Sequence, residues 1–338
     1  MNSPILVTGG TGTLGRLLVR ELLAHGREVR VFSRKPRPGV PEGTPTQPGE
    51  PEWFVGDLQT GIGVAAAVDG VDTVAHCATS VRGEAQMGAQ LMIAAARAGR
   101  PHLVFPSVVG AETIRSRYYR DKRAVERLLE DGELPWTVLR TTHFHEFIDA
   151  GLHHQARLPL MLLAKDEKFQ PVAADEVAYR LVDLCNGIQG HHMPFFGGPE
   201  ILTTTELATA WLYEHKRNRK LLVVHKRGGE HDGWRAGAHL APDRTVGDQT
   251  FAEFLIAQRE TRVAQDASVK ADKAAQRQAD KHAAAEARAA ERAAKDAERA
   301  AKDAERDARA AERTVAKDQQ RNTPGPTGPT GGPAPRAG

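Results

Sequence analysis

The chain has 338 residues, of which 40% are hydrophobic and 26% are charged, and its formal net charge is +3 at pH 7. This composition is typical of globular proteins, and the interleaving of basic with acidic residues argues against a nucleic-acid-binding surface. The two cysteines are too few for a disulfide framework and no run of 18 apolar residues predicts a membrane span, so we expect a cytoplasmic protein with reduced thiols and no membrane contact.

The first predicted element is a short apolar strand, Ile5–Thr8, which leads into a glycine-rich turn. Gly9, Gly12 and Gly15 lie in this turn, and an amphipathic helix is predicted over residues 16–25. At a strand-to-helix turn, the first glycine permits the tight turn, the second a close approach to a pyrophosphate, and the third close packing of helix on strand. The N–H groups that begin the helix favour phosphate binding. This segment therefore predicts a dinucleotide-binding site.

Short β-branched runs continue to alternate with helical stretches up to about residue 140. Further strands are predicted at 28–33, Glu52–Val55, Thr73–His76, 102–106 and 136–140, and further helices at 62–68, 86–98 and 121–130. This alternation predicts an α/β fold, a Rossmann-type doubly wound parallel sheet. We assign residues 4–150 to this domain. Residues 151–260, where the alternation becomes irregular, are predicted to form a small C-terminal substrate lobe packed on it.

Beyond about residue 263 the composition changes to alanine and interleaved charged residues. Glutamates that precede a cation by four residues stabilise an isolated helix by about 0.2–0.5 kcal/mol per pair. Three such pairs are Glu291/Lys295, Glu298/Lys302 and Glu305/Arg309. We therefore predict a charged alanine-rich helix over 263–320, either isolated or in a weak coiled coil that binds a protein partner or a second copy. Residues 321–338 are rich in proline and glycine, and we expect them to be disordered.

The residues after the second strand indicate which cofactor is preferred. Arg34 and Lys35 stand where NAD-preferring proteins usually place a carboxylate, so a 2′-phosphate is favoured and NADP(H) is expected over NAD(H). Alternatively, these two cations only solvate the start of a loop. Asp57, after the third strand, could bind the adenine amino group or cap the next turn. His76, which ends the fourth strand, could contact the nicotinamide ribose or be a buried strand-end histidine.

Three residues farther along the chain could carry chemistry. Tyr118 and Lys122 are four residues apart, so a helix would place them on one face, and the ammonium would lower the pKa of the phenol. Such a phenol could donate a proton to a carbonyl oxygen. Ser107, just past the fifth predicted strand, could hold that oxygen. Tyr119 competes with Tyr118 for the pocket.

These segments together resemble a known superfamily. Residues 8–15 (TGGTGTLG), 56–58 (GDL), 105–110 (FPSVVG) and 118–122 (YYRDK) are similar to motifs of the short-chain dehydrogenase/reductases, above all the atypical, NmrA-like branch of NAD(P)H-binding proteins. The resemblance covers about residues 4–256. It implies a Rossmann fold, an NADP(H) cofactor, and a substrate cleft between the carboxyl edge of the sheet and the small lobe.

The expected site follows from the motifs and this resemblance. The expected catalytic residues are Ser107, Tyr118 and Lys122; the expected cofactor-binding residues are Gly9, Gly12, Thr13, Leu14, Gly15, Arg34, Asp57, Leu58, His76, Ala78 and Lys122; the expected substrate-cleft residues are His143, Phe144 and His145. No metal site is expected, since neighbouring histidines point in different directions and no cysteine or carboxylate completes a ligand set.

Two functions fit this site. The first is an NAD(P)H-dependent oxidoreductase that reduces a small carbonyl, quinone or conjugated substrate by hydride transfer. The second is a non-catalytic NADP(H)-sensing protein, because several NmrA-like relatives bind dinucleotide without turnover. A scaffold that binds no nucleotide is a third reading, and the intact glycine turn argues against it.

Overall fold

The structure is a computed structural model that describes residues 3–40, 44–80, 82–187, 191 and 193–321. It divides into two compact units, one ending at Thr261 and the other beginning at Arg262. The strands are β1 (Ile5–Thr8), β2 (Val29–Ser33), β3 (Glu52–Val55), β4 (Thr73–His76), β5 (His102–Val108), β6 (Trp136–Thr141), β7 (Leu160–Ala164), β8 (Lys168–Phe169), β9 (Phe195–Phe196), β10 (Leu202–Thr203) and β11 (Lys220–Val224). The helices are α1 (Thr13–Ala24), α2 (Val64–Val68), α3 (Glu84–Arg97), α4 (Arg117–Asp131), α5 (His145–Gln155), α6 (Ala174–Asn186), α7 (Thr204–Glu214), α8 (Glu230–Arg235) and α9 (Phe251–Arg321).

Seven parallel strands form the main sheet, in the order β3-β2-β1-β4-β5-β6-β9. The strand order reverses direction between β1 and β4, and this switch point is where ligands bind in open α/β sheets. The register pairs Thr8 with His76, so both strand ends lie at the carboxyl edge beside the glycine turn. The Rossmann-type fold predicted from the sequence is confirmed.

Helices cover both faces of this sheet, and each face has its own core. On one face α1 and α6 pack together, and α1 buries Leu14, Leu18 and Leu22. These leucines recur every four residues, so they lie on one side of the helix. On the other face, residues of α2, α3 and α4 join a second core that includes Phe105 and Leu91. The two cores fix the strand ends that carry the site.

The predicted boundary at residue 150 falls within α5. Both α6 and β9, which follow this boundary, complete the main sheet and its helical layer. The smaller part of the fold consists of the pairs β7/β11 and β8/β10, helix α7 and the start of α9. Its core includes Trp211 and Phe251, both fully buried. These residues form the lobe that faces the sheet edge.

The second unit begins within α9. Between residues 262 and 315 every described side chain is exposed. The three predicted ion pairs are present, with N–O distances of 2.7 Å for Glu291–Lys295, 2.7 Å for Glu298–Lys302 and 2.6 Å for Glu305–Arg309. The predicted helix is therefore confirmed, and the coiled coil stays a prediction. Residues 322–338 lie outside the described residues, and among the described helices none is long and apolar enough to cross a membrane.

Candidate functional site

The glycine turn has the geometry that a dinucleotide site requires. Gly9 has φ +66°, and a Cβ built on it would lie 2.6 Å from both the Cα and the amide nitrogen of Ala78. Gly12 is the N-cap of α1, which has no side-chain cap, so N–H groups in its first turn are available to a phosphate. A Cβ on Gly15 would collide with the carbonyl oxygen of Gly9. The geometry therefore requires glycine at positions 9 and 15, and Gly12 begins the helix as the sequence predicted.

A cleft of about 1110 Å³ extends from this turn toward the end of β2. Among its lining residues are Gly9, Gly12, Arg34, Lys35, Asp57, Leu58 and Ala78. Arg37 also lines it, which the sequence analysis missed, but its guanidinium lies 2.9 Å from a Glu50 carboxylate oxygen. That hydrogen bond lowers the pKa of Glu50 to about 2. Arg34 and Lys35 are exposed, and no ion pair to either occurs among the described residues. An anionic ligand in this cleft could therefore bind to Arg34 and Lys35, whereas Arg37 is already paired with Glu50.

Asp57 caps the turn that follows it, which was the alternative to adenine binding. Its Oδ1 accepts a hydrogen bond of 2.8 Å from the Gln59 amide, so the carboxylate caps the following turn. The residue nevertheless lines the cleft, beside the buried Leu58. A contact with the adenine amino group stays a prediction.

A second cavity, of about 520 Å³, adjoins the cleft and is called the reaction cavity here. Gly12, Thr13 and Leu14 line it from the turn. From the opposite side, Tyr118 and Lys122 of α4 line the same space. The fold therefore brings together the predicted phosphate-binding turn and the predicted catalytic pair, which are more than 100 residues apart in the sequence.

Lys122 is held by a partner that the sequence analysis did not identify. Its Nζ lies 2.8 Å from Oε1 of Glu84, the first residue of α3, and donates to the Pro106 carbonyl at 3.2 Å. Glu84 is only 1% exposed, and its other oxygen accepts from the Thr79 hydroxyl at 3.0 Å. Burial acts to lower the pKa of Lys122, but Glu84 and Tyr118 raise it, so the pKa lies above 10.5. Lys122 therefore stays charged.

The two adjacent tyrosines have different environments. Tyr119 is 1% exposed, and its hydroxyl accepts from the Trp234 indole at 3.0 Å and lies 3.0 Å from Nε2 of His143. Tyr118 is 46% exposed at the reaction cavity. Desolvation by the surrounding protein raises the pKa of Tyr118 above 10, Lys122 lowers it, and Glu84 raises it. The predicted net lowering of this pKa is therefore wrong for the protein alone, because desolvation outweighs the lowering by Lys122.

The structure places Ser107 differently from the prediction. It lies inside β5, not past its end, and is 4% exposed. Its hydroxyl donates to Glu126 at 2.6 Å, and Glu126 in turn accepts two hydrogen bonds from Arg140. A serine has one proton to donate, so in this arrangement Ser107 cannot also donate to a carbonyl oxygen. It lines the reaction cavity as part of a buried ionic network.

Two further predicted contacts are wrong. His76 is buried beneath the site, with Nδ1 2.8 Å from the Thr8 hydroxyl, and it lines neither the cleft nor the reaction cavity. His145 is fully buried, with Nε2 3.1 Å from the Gln249 carbonyl, and packs against Phe254. Both are buried, as the alternatives predicted, but Nε2 of His76 and Nδ1 of His145 have no hydrogen-bond partner among the described residues. His143 and Phe144 line the reaction cavity as predicted.

The buried histidines predict a loss of stability in acid. Burial lowers the pKa of His76 and His143 to about 3, and of His145 and His239 to about 4. Histidines in the unfolded chain titrate near pH 6.5. Between pH 6.5 and 4 the unfolded chain therefore binds more protons than the folded chain, and the free energy of unfolding decreases as the pH is lowered. We expect urea denaturation to show a loss of about 1 kcal/mol or more per pH unit in this window.

Matched variants test this cause. The variant His145→Phe should reduce the pH slope, whereas the exposed His225→Gln should leave it unchanged. A free energy of unfolding that stays constant from pH 6.5 to 5 would show that these histidines are not held neutral.

A comparison with known families decides the assignment. A sequence profile described as NAD(P)H-binding matches residues 9–185, more than half of the chain. The chain belongs to this NAD(P)H-binding family. The resemblance to the atypical short-chain dehydrogenase/reductases is thereby confirmed, and membership of this family supports a nicotinamide dinucleotide as the cofactor.

Curated proteins with related sequences each match only part of this chain. A 3-beta-hydroxysteroid dehydrogenase of Mycolicibacterium neoaurum is 44% identical over 79 residues, which are 23% of this chain and 19% of that protein. The photosystem II assembly factor Ycf39 of Trieres chinensis is 28% identical over 166 residues, 46% of this chain and 50% of that protein. The chain spans about a fifth of the length of the relatives first matched.

Solved structures share the fold. An NADPH-dependent quinone oxidoreductase of Escherichia coli, complexed with NADPH, superposes with a TM-score of 0.64 at 18% identity, covering 75% of this chain and 99% of that one. A UDP-glucose 4-epimerase of Thermus thermophilus, in complex with NAD, gives 0.52 at 22% identity, covering 71% and 98%. At these identities the likeness extends to the fold alone.

Metal ligation was considered from the histidine pairs. Among the described residues, no group of three or more histidine, cysteine, aspartate or glutamate side chains could hold an ion. The expectation that the chain needs no metal stays a prediction.

Proposed function

We propose that the protein is an NADPH-dependent reductase of a carbonyl, quinone or conjugated substrate. The observation that carries this proposal is that one cavity is lined both by the first turn of α1 and by Tyr118 and Lys122. A cofactor whose pyrophosphate lies on that turn can extend into this cavity, where Tyr118 can donate a proton. The E. coli quinone oxidoreductase, which shares the fold, supports the choice of substrate class.

The residues of the cleft fit a phosphorylated dinucleotide. Close backbone approach at Gly9, the uncapped first turn beginning at Gly12, and the cations Arg34 and Lys35 match a pyrophosphate followed by a 2′-phosphate. When bound, the reduced nicotinamide supplies a hydride to the substrate carbon. Lys122, charged and buried, can donate to the ribose hydroxyls, and Glu84 fixes its position.

Tyr118 completes the reduction by supplying a proton. Desolvation raises the pKa of Tyr118 above the ordinary range of a phenol, so the phenol carries its proton at neutral pH, as a donor must. For a carbonyl acceptor, the phenolic proton passes to the oxygen while the carbon receives the hydride, which yields an alcohol and leaves a phenolate. Lys122 stabilises this phenolate by its charge, and solvent returns the proton at the exposed ring.

The proposed activity is tested by following NADPH absorbance with a panel of quinones and aldehydes. We expect steady oxidation that depends on the acceptor and exceeds the rate with NADH. Tight NADPH binding with no oxidation by any acceptor would contradict the reductase assignment.

The cofactor preference is tested at Arg34. The variant Arg34→Ala should weaken NADPH binding by about 10- to 100-fold, the usual loss for one charge-assisted hydrogen bond to phosphate. NADH binding should change by less than about twofold, because NADH lacks the 2′-phosphate. Calorimetric titration measures both values.

Arg37→Ala is the matched control, since Arg37 lines the same cleft but is paired with Glu50. It should affect NADPH binding less than Arg34→Ala. Equal losses for NADPH and NADH in Arg34→Ala would mean that this cation does not bind the 2′-phosphate.

A second candidate function is supported by the exposed helix after residue 262. Such a surface could join an NADP(H)-sensing domain to a protein partner or to a second copy of the chain. This function predicts dinucleotide binding without turnover, and loss of partner capture when the residues after Val263 are deleted. Turnover with the acceptor panel would argue against it.

A further inference from the structure

Another cavity, of about 530 Å³, lies in the lobe, and the proposed reaction does not use it. We call it the lobe cavity. Its walls come from α5, β7 and α7, with Glu167 and Phe169 nearby. Phe147 and Trp234 line both the lobe cavity and the reaction cavity. The two spaces are therefore neighbours that share an aromatic partition.

The walls of the lobe cavity are mainly hydrocarbon. Ile148, Leu163 and Leu207 contribute aliphatic side chains, and Phe169 contributes a ring. A cavity with such walls binds apolar groups by removing both surfaces from water. Its volume falls within the range of small-molecule sites.

The charged groups in these walls compensate one another. Glu167 is 2% exposed, and its Oε1 lies 2.8 Å from Nδ1 of His231 and 4.0 Å from the guanidinium of Arg235. Lys226 also lines the cavity and adds a positive charge near this carboxylate. Because the buried carboxylate already has the cations Arg235 and Lys226 near it, the cavity does not call for a charged ligand. The chemistry favours a neutral, largely apolar one.

The shared partition has the properties of a ligand contact. Phe147 is 50% exposed, although its ring stacks on His143 with the centroids 4.8 Å apart. Trp234 is oriented by its hydrogen bond to Tyr119 and by an edge-to-face contact with Phe169 at 5.2 Å. An oriented indole beside an exposed phenyl ring offers apolar surface that a bound molecule would bury.

We propose that the lobe cavity holds the apolar body of the substrate, and that the substrate class is a neutral carbonyl compound with a hydrocarbon portion long enough to reach this cavity. The reacting carbonyl lies beside Tyr118, and the hydrocarbon passes Phe147 and Trp234 into the lobe. This inference rests on the proposed function for the position of the carbonyl. A short acceptor would fill the reaction cavity alone and gain nothing from the lobe.

Gly151 offers a way to fill the lobe cavity without disturbing the fold. It lies in α5 at the cavity wall, and no atom among the described residues lies within 4 Å of a Cβ built on it. Gly151 follows Phe147 by four residues and so lies on the same side of α5, and we expect the variant Gly151→Phe to place its ring at this cavity. Gly151→Ala is the matched control, because it also removes the glycine from the helix but adds only one methyl group.

The first measurement compares octanal with propanal as acceptors for NADPH oxidation. The unmodified protein and Gly151→Ala should show a kcat/KM about tenfold or more higher for octanal, since each buried methylene adds favourable transfer free energy. Gly151→Phe should lose this preference and retain its activity on propanal. The same octanal-to-propanal ratio in all three proteins would overturn the proposal.

The second measurement does not depend on turnover. Calorimetric titration of the full chain with octan-1-ol should detect binding to the unmodified protein and to Gly151→Ala, and binding at least about tenfold weaker to Gly151→Phe. If no aldehyde is reduced but this pattern is found, the proposed function fails and the apolar site stands. Octan-1-ol that fails to bind, or binds all three proteins equally, overturns the site itself.

Discussion

Replacing Tyr118 with phenylalanine is expected to lower kcat for NADPH oxidation by about 100-fold or more, the usual contribution of a general acid. The substitution removes the phenolic proton and leaves the ring, so the packing around the reaction cavity is kept. NADPH affinity should be unchanged, because Tyr118 does not line the cleft that binds the adenosine half. Steady-state kinetics together with a cofactor titration measure the two quantities.

The neighbouring Tyr119 provides the matched control. Tyr119→Phe removes a buried hydroxyl that accepts from Trp234 and lies against His143, so it should lower the free energy of unfolding by about 1–3 kcal/mol. It should reduce kcat far less than Tyr118→Phe. Unchanged turnover in Tyr118→Phe, with turnover abolished in Tyr119→Phe, would contradict this assignment and show that Tyr119 donates the proton.

The variant Gly9→Ala should strongly weaken cofactor binding. The added Cβ would lie 2.6 Å from backbone atoms of Ala78, so the turn or the end of β4 must move. A displacement of this size should weaken NADPH binding by about 100-fold or more. The strained φ of +66° and the overpacking should together lower the free energy of unfolding by roughly 2–4 kcal/mol.

The variant Gly26→Ala separates the effect of the positive φ from the effect of the steric contact. Gly26 also has a positive φ, +69°, but no atom in the described part of the chain lies within 4 Å of its built Cβ. It should cost only about 1–2 kcal/mol of stability and leave NADPH affinity unchanged. Similar affinities in Gly9→Ala and Gly26→Ala would mean that the turn does not contact the cofactor.

The parts of the site that were predictable are those fixed by local sequence. The glycine turn is specified by three residues within seven positions, because φ at Gly9 and close packing at Gly15 depend on their immediate neighbours. The sharing of one cavity by Tyr118 and Lys122 follows from their spacing on α4. The parallel sheet follows from the alternation of apolar strands with amphipathic helices.

The parts that were missed depend on contacts between distant segments. Glu84 reaches Lys122 only because the start of α3 lies against α4, and no sequence pattern links them. Ser107 was expected past the strand, since a proline usually ends a central strand, yet pairing with β6 continues to Val108. His145 likewise packs against Phe254 of α9 and not toward the cavity, and this contact joins segments that are more than 100 residues apart.

Calorimetric titration of the full chain with NADPH and NADH tests the central claim most directly. The claim is that the first turn of α1 binds a pyrophosphate and that Arg34 selects the phosphorylated adenosine. We expect one molecule of NADPH to bind per chain, about tenfold or more tighter than NADH, with the difference removed in Arg34→Ala. The absence of binding by either reduced coenzyme would contradict the account.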